Sequence, residues 1–129
     1  ISTLELEDNV EFAGRVTAAK LTELYQHSDV MLMPAITTPN TFEGFGLVFL
    51  EANAYGVPCI GPNIGVAAES INNVTSGYTV AVDNAVKIAG HLRLVLDEQK
   101  IHADDCQTWA QKHSVNDYAS QTWQVYSAL

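Results

Sequence analysis

Two carboxylates eight positions apart bracket a glycine-spaced apolar run, Glu43-Gly44-Phe45-Gly46-Leu47-Val48-Phe49-Leu50-Glu51. Carboxylates accept hydrogen bonds from hydroxyls, and glycines let a backbone approach a ligand closely. A helix opening after such glycines presents unpaired N–H groups and a positive dipole end, which suits a phosphate or diphosphate. Glu43 lies just ahead of that start. Glu51 lies one to two turns inside it, about 8–12 Å away at ~1.5 Å per residue. Hydroxyls accepted on either side of a held anion describe a nucleotide diphosphate sugar, with its sugar at one end and its ribose at the other. Blander roles stand beside this one. Glu51 could be a solvated helix carboxylate, and Glu43 an acid that merely favours the dipole.

The elements that position these residues are readable from pattern. Ala52-Asn53-Ala54-Tyr55 continues the helix, Gly56 can end it in the left-handed region, and Pro58 forbids its continuation. The apolar residues around Glu51 predict a buried helix. Asn9-Val10-Glu11-Phe12-Ala13 alternates as a short strand does, and Gly14 ends it. Thr17 is a candidate cap for a helix carrying Leu21, Leu24 and Tyr25 on one face, stopping near Ser28. Val30-Met31-Leu32-Met33, closed by Pro34, has the continuous apolar character of a strand covered on both faces. Cys59-Ile60 begins another strand, Ala67 to Ile71 a short helix, and Tyr78 to Val82 a further strand. From Asp83 onward the pattern is helical. Asp83 is the expected cap for Ala85, Ile88, Ala89, Leu92, Val95 and Leu96, and Ser114 restarts the pattern with Tyr118, Thr122 and Trp123 on one face. Strands alternating with helices predict an α/β fold, Rossmann-like, with a mostly parallel sheet whose ligands bind beyond the strands' carboxyl ends.

Length and composition bound the rest. The 129 residues make one small domain, with strand-helix units over 9–82 and C-terminal helices over 83–129. Fifteen acidic residues against six basic ones give a net charge of -9, which argues against nucleic acid or an anionic membrane as partner. No apolar run reaches the ~18–20 residues of a membrane span. Cys59 and Cys106 have no pattern of a disulfide framework and are expected as reduced thiols of a cytoplasmic protein. His27, His91, His102 and His113 lack metal-ligand spacing, so no metal and no cofactor is expected. Ile1 in place of Met is what a processed or excised piece would show.

The run from Pro34-Ala35 through Glu43-Gly44-Phe45-Gly46 and Glu51-Ala52 to Ala54-Tyr55-Gly56-Val57-Pro58 resembles the donor-site motif of GT-B-type retaining glycosyltransferases, family four (glycosyl transferases group 1). That family carries two glutamates separated by seven residues. Val10 to Gly14, Leu24-Tyr25 with Ser28-Asp29-Val30, and Gly77 to Val80 are similar to flanking elements of its C-terminal domain, so the likeness covers nearly all of 9–96. The resemblance implies a partial C-terminal domain of a GT-B fold. It implies that Glu43 accepts from donor-sugar hydroxyls and that the N–H groups of Phe45, Gly46 and Leu47 face the sugar and diphosphate. Glu51 would then hold the ribose, and the turn at Gly14, Arg15 and Val16 would read the nucleobase edge. Glu69 ends a glycine-rich turn here, but Val66 and Ala68 depart from the family's second glycine and proline. Glu69 is equally a helix cap.

The resemblance also implies what is missing. The family's acceptor-binding N-terminal domain has no counterpart here, nor do the first two strands with the arginine and lysine that neutralise the diphosphate. Only Arg15 and Lys20 remain for that task. The expectation is a nucleotide-sugar donor-binding part that does not transfer sugar alone. In the family's strand order, the strands at Val10 and Val30 must pair directly in a rearranged sheet, or another chain must fill the gap between them. A homodimer or exchange of elements is expected there, with the missing N-terminal domain or a second copy as partner. The alternatives are a stand-alone, non-catalytic module binding nucleotides or protein, and, less well matched, a sugar-nucleotide epimerase. Tyr118, Trp123 and Tyr126 are expected as core or as a surface for the absent domain.

Overall fold

Apolar, β-rich runs at Met31–Leu32 (β1), Cys59–Pro62 (β2) and Gly77–Val80 (β3) pair into a three-stranded parallel sheet of order β1-β2-β3. Met31 faces Cys59 across the first ladder, and Cys59 to Pro62 face Gly77 to Val80 across the second. These are relations in a computed structural model of the chain, which describes residues 1–34, 44–81 and 83–128. All four residues of the central strand β2 are buried, as continuous apolar strands between two helical layers are.

Successive side chains of a strand point to opposite faces, and the core divides accordingly. Cys59 joins Phe49, Ala52, Val57 and Ile71 on one face, with Tyr25, Met31, Met33 and Val48 packed around them. Ile60 joins Tyr78, Val80, Val95, Ile101 and Cys106 on the other, with Val30, Ile88 and Leu92. Helices α1 (Ala18–Gln26) and α2 (Leu47–Ala54) serve the first face; α3 (Ala85–Leu96) and Cys106 of α4 (Ala103–Gln111) serve the second. α4 also lies along α2. The chain ends in α5 (Val115–Ser127), with Ser114 Oγ capping it by accepting from the Asp117 N–H.

The caps explain most boundaries. Thr17 accepts from Lys20 N–H and starts α1. Gly56, at φ 80°, follows α2 and bonds to Asn53 O, while Val57 bonds to Ala52 O. Those bonds satisfy carbonyls that the helix leaves open. For α3 the cap is Asn84, whose Oδ1 accepts from Lys87 N–H, in place of the expected Asp83.

Two expectations need correction. The segment at Val10 is not a strand: Glu7–Asn9 is a 3-10 turn and residues 10–13 carry no regular structure. Val10 is extended (φ -128°, ψ 120°), but Phe12 is 83% exposed. Alternation makes a strand only when a neighbour takes its N–H and C=O groups, and none of the described strands lies beside this one. The Val10 and Val30 segments therefore do not pair. β1 shrinks to two residues for the same reason. It is an edge strand with Leu32 39% exposed, not a strand covered on both faces. Of the two places expected for Tyr118, Trp123 and Tyr126, core or surface, they take the surface of α5, each at least 70% exposed.

Close strand contact decides one glycine. A Cβ on Gly77 would stand 2.1 Å from Cys59 O, a backbone atom that cannot yield. Gly90, inside α3, has open space around it. We expect Gly77→Ala to destabilise the fold by about 3 kcal/mol, the upper range for overpacking. Gly90→Ala should stabilise it by about 0.5–1 kcal/mol through helix propensity. Denaturant midpoints of the two variants check the pair of signs.

Candidate functional site

The site is built around α2. Gly46 precedes it with φ 76°, a left-handed conformation that residues with a Cβ rarely adopt. A Cβ there would also meet Phe49 Cδ2 at 2.9 Å and Ser70 Oγ at 3.0 Å. Gly46 O receives Phe49 N–H at 2.9 Å and so opens the helix. Among the described residues no side chain caps it, and early N–H groups of a helix left without a cap suit an acceptor from outside. Gly44 is exposed, with no atom of the described residues within 4 Å of where a Cβ would stand. Phe45 is half-buried, its ring 6.2 Å from the His113 imidazole.

Helical periodicity then sorts the residues of α2. Phe49, Leu50, Ala52 and Asn53 turn inward, while Leu47, Glu51 and Ala54, at i, i+4 and i+7, turn outward. The buried environment expected for Glu51 is thus corrected: the helix is apolar, but its glutamate sits on the exposed ridge. Glu51 is nevertheless engaged. Its Oε2 accepts from the Tyr25 hydroxyl of α1 at 3.2 Å. The Tyr25 ring stacks on Tyr55, with centroids 5.5 Å apart and planes 13° from parallel. Tyr55 Oη lies 3.3 Å from Thr22 Oγ1, back on α1. Burial, then the Glu51 charge, pushes the Tyr25 phenol up to about 12. Sequence reasoning missed this four-residue chain. It saw Tyr25 only as an apolar helix face, although a tyrosine at the edge of such a face carries a polar tip that seeks a partner.

The other expected residues are dispersed. Glu43 lies outside the described residues. Gly14, at φ 61°, and Arg15 are exposed and Val16 half-buried, immediately ahead of the Thr17 cap. Glu69 is exposed on the 3-10 helix Val66–Ser70, entered through Gly65 at φ 73°. Lys20 is spoken for, its Nζ 2.8 Å from Glu23 Oε1. That contact with Glu23 raises the lysine's pKa and lowers the glutamate's, although so exposed a pair adds little stability. Among the described residues no three His, Cys, Asp or Glu side chains cluster so as to hold a metal ion. Two hollows flank the outward ridge of α2. One of about 380 Å³ lies between Phe45, Leu47 and the start of α5 at Val115 and Tyr118. The other, about 590 Å³, lies between Glu51, Ala54 and α4 at Gln107 and Gln111.

A parallel sheet with helices on both faces, and a helix opening beyond the edge strand behind a glycine turn, define a Rossmann-like α/β domain. The chain belongs to the glycosyl transferases group 1 family, whose description matches residues 1–113. It is 35% identical over 102 residues to an N-acetyl-alpha-D-glucosaminyl L-malate synthase of Bacillus anthracis, covering 79% of this chain and 25% of that protein. It is 34% identical over 96 residues to a GDP-mannose-dependent alpha-(1-6)-phosphatidylinositol monomannoside mannosyltransferase of Mycobacterium tuberculosis, covering 72% and 25%. Among solved structures it matches a lipopolysaccharide outer core galactosyltransferase in its apo form. The TM-score is 0.76 and the identity 25%, over 99% of this chain and 36% of that one. The chain thus spans about a quarter to a third of the length of the relatives it matches. No helix among the described residues is long and apolar enough to cross a membrane.

The raised Tyr25 value favours the neutral phenol in the folded chain. Its contribution to stability is therefore intact below the ordinary pKa of 10.0 and is lost as pH climbs toward about 12. A tyrosinate absorbance titration of the native chain, minus that of Tyr25→Phe, should leave one transition near 12. A transition near 10 would mean that the burial of Tyr25, and with it the contact to Glu51, is absent in solution.

Proposed function

We propose that this chain is the nucleotide-sugar donor-binding part of a retaining glycosyltransferase. Glu43 accepts hydrogen bonds from the donor-sugar hydroxyls. The N–H groups of Phe45, Gly46 and Leu47 face the sugar and the diphosphate, and Glu51 holds the ribose. The turn at Gly14, Arg15 and Val16 meets the nucleobase, and Glu69 stands at the margin. The observation that carries this reading is the pairing of an uncapped, glycine-led helix start with an outward carboxylate on the same helix. An anion at the start and a diol at Glu51 then fall along one ridge, the ligand's own order.

In the transfer, the bond from the anomeric carbon to the diphosphate oxygen breaks, the acceptor hydroxyl oxygen bonds to the same face of that carbon, and the hydroxyl's proton passes to the departing diphosphate oxygen. Negative charge grows on the leaving diphosphate, where the α2 dipole and its open N–H groups are aimed. No metal or cofactor takes part. On this reading the neutralising cations would come from the family's first two strands of the same domain and the acceptor site from its N-terminal domain, so these residues alone bind donor weakly and do not transfer. Free, buried Cys59 and Cys106 support a reducing, cytoplasmic setting.

Titration with UDP-, GDP- and ADP-sugars tests the donor site. One of the three should bind, and Glu51→Gln should weaken it roughly tenfold or more, the effect of losing a charged hydrogen-bond acceptor. Binding that is detected and unchanged by the substitution removes Glu51 from the site.

The open side of β1 belongs to the same proposal. Among the described residues no strand pairs with the far side of β1, whose Leu32 is half-exposed, and such an edge invites another strand. We take a second copy of the chain as its source. Sedimentation should find a dimer that dissociates on dilution, and a stable monomer at all concentrations would end the dimer proposal.

A further inference from the structure

Glu51 is a charged side chain with no cationic neighbour among the described residues. A carboxylate kept for stability alone usually meets a lysine, an arginine or a helix start. This one meets a neutral phenol, so its charge remains available on the surface. We propose that Tyr25 is a positioning residue for Glu51, holding Oε2 so that Oε1 faces outward to accept from a vicinal diol.

The inference rests on the donor-site reading and deepens it. A free glutamate spreads over many rotamers, and selecting one on binding costs about 1.5–2 kcal/mol. A donor at 3.2 Å selects it beforehand. The donor must itself be fixed, and Tyr25 is. Its ring is packed against the cluster around Phe49 and stacked on Tyr55, and the Tyr55 hydroxyl lies beside Thr22 Oγ1. The contacts pass alternately between α1 and α2, so the phenol cannot swing away without parting the stack. The phenol's high pKa keeps it a donor throughout the neutral range. A carboxylate offers about four acceptor positions; Tyr25 occupies one and leaves those on Oε1 for two adjacent hydroxyls.

Tyr25→Phe removes the donor while keeping the ring and its stack, and Glu51→Gln serves as reference. The probes are UDP, GDP and ADP, each beside its 2′,3′-dideoxy counterpart, with affinities measured by calorimetric titration. The expected result is that Tyr25→Phe weakens the ribonucleotide about fivefold, leaves the dideoxynucleotide within twofold, and adds nothing when combined with Glu51→Gln. A latch that only joins α1 to α2 would change both ligands alike or neither, and either result overturns the inference. The two readings fail separately. If Glu51→Gln abolishes discrimination between the two ligands and Tyr25→Phe does not, the role of Tyr25 is wrong and the donor site stands. If Glu51→Gln leaves discrimination intact, or no nucleotide binds the native chain, the donor-site reading falls and the role of Tyr25 with it.

Discussion

One buried amide holds the arrangement together. Asn53 is fully enclosed, and its Nδ2 donates to Val57 O at 2.9 Å, Ser76 O at 3.0 Å and Cys59 Sγ at 3.3 Å. These acceptors lie at the entrances to β2 and β3. A single side chain therefore ties α2 to both ladders of the sheet, in a core of low dielectric where such bonds are strong and unmet ones expensive. The rotation of α2 about its axis follows from that anchor. With Asn53 pointing in, Glu51 and Leu47 must point out, and the helix start is directed past the edge of the sheet. Cys59 completes the joint by donating to Phe49 O at 3.4 Å, and burial keeps its thiol protonated.

Much of this was legible in the chain itself. The αL glycine after α2, the Thr17 cap, the helical restart at Ser114, and the apolar strand at Cys59 are local signals, each set by a few neighbouring residues. The family likeness was legible for the same reason, because its motif is local. What failed was non-local. Residues 9–13 alternate correctly for a strand but have no partner, and an unpartnered strand has nowhere to place its backbone hydrogen bonds. Glu51 was read from the hydrophobicity of its neighbours, whereas helical phase set by Asn53 decides its exposure. The Tyr25–Glu51 bond spans 26 positions, and no short-range pattern reports a contact at that range.

The charge balance acquires a location as well. Six basic residues against fifteen acidic ones is a poor endowment for binding a diphosphate, and Lys20 is engaged by Glu23. On the donor-site proposal, backbone dipoles supply what side-chain cations do not. That division of labour fits a chain whose relatives are about three times its length.

The two glycines of the motif also differ in why they must be glycine. Gly46 is demanded from within, by its left-handed backbone and by the Phe49 ring and Ser70 hydroxyl against it. Gly44 meets nothing among the described residues. The demand of folding seen among those residues therefore falls on position 46 alone. On the donor-site proposal a screen for ligand would hold both, which separates the pressure of architecture from the pressure of use within three consecutive residues.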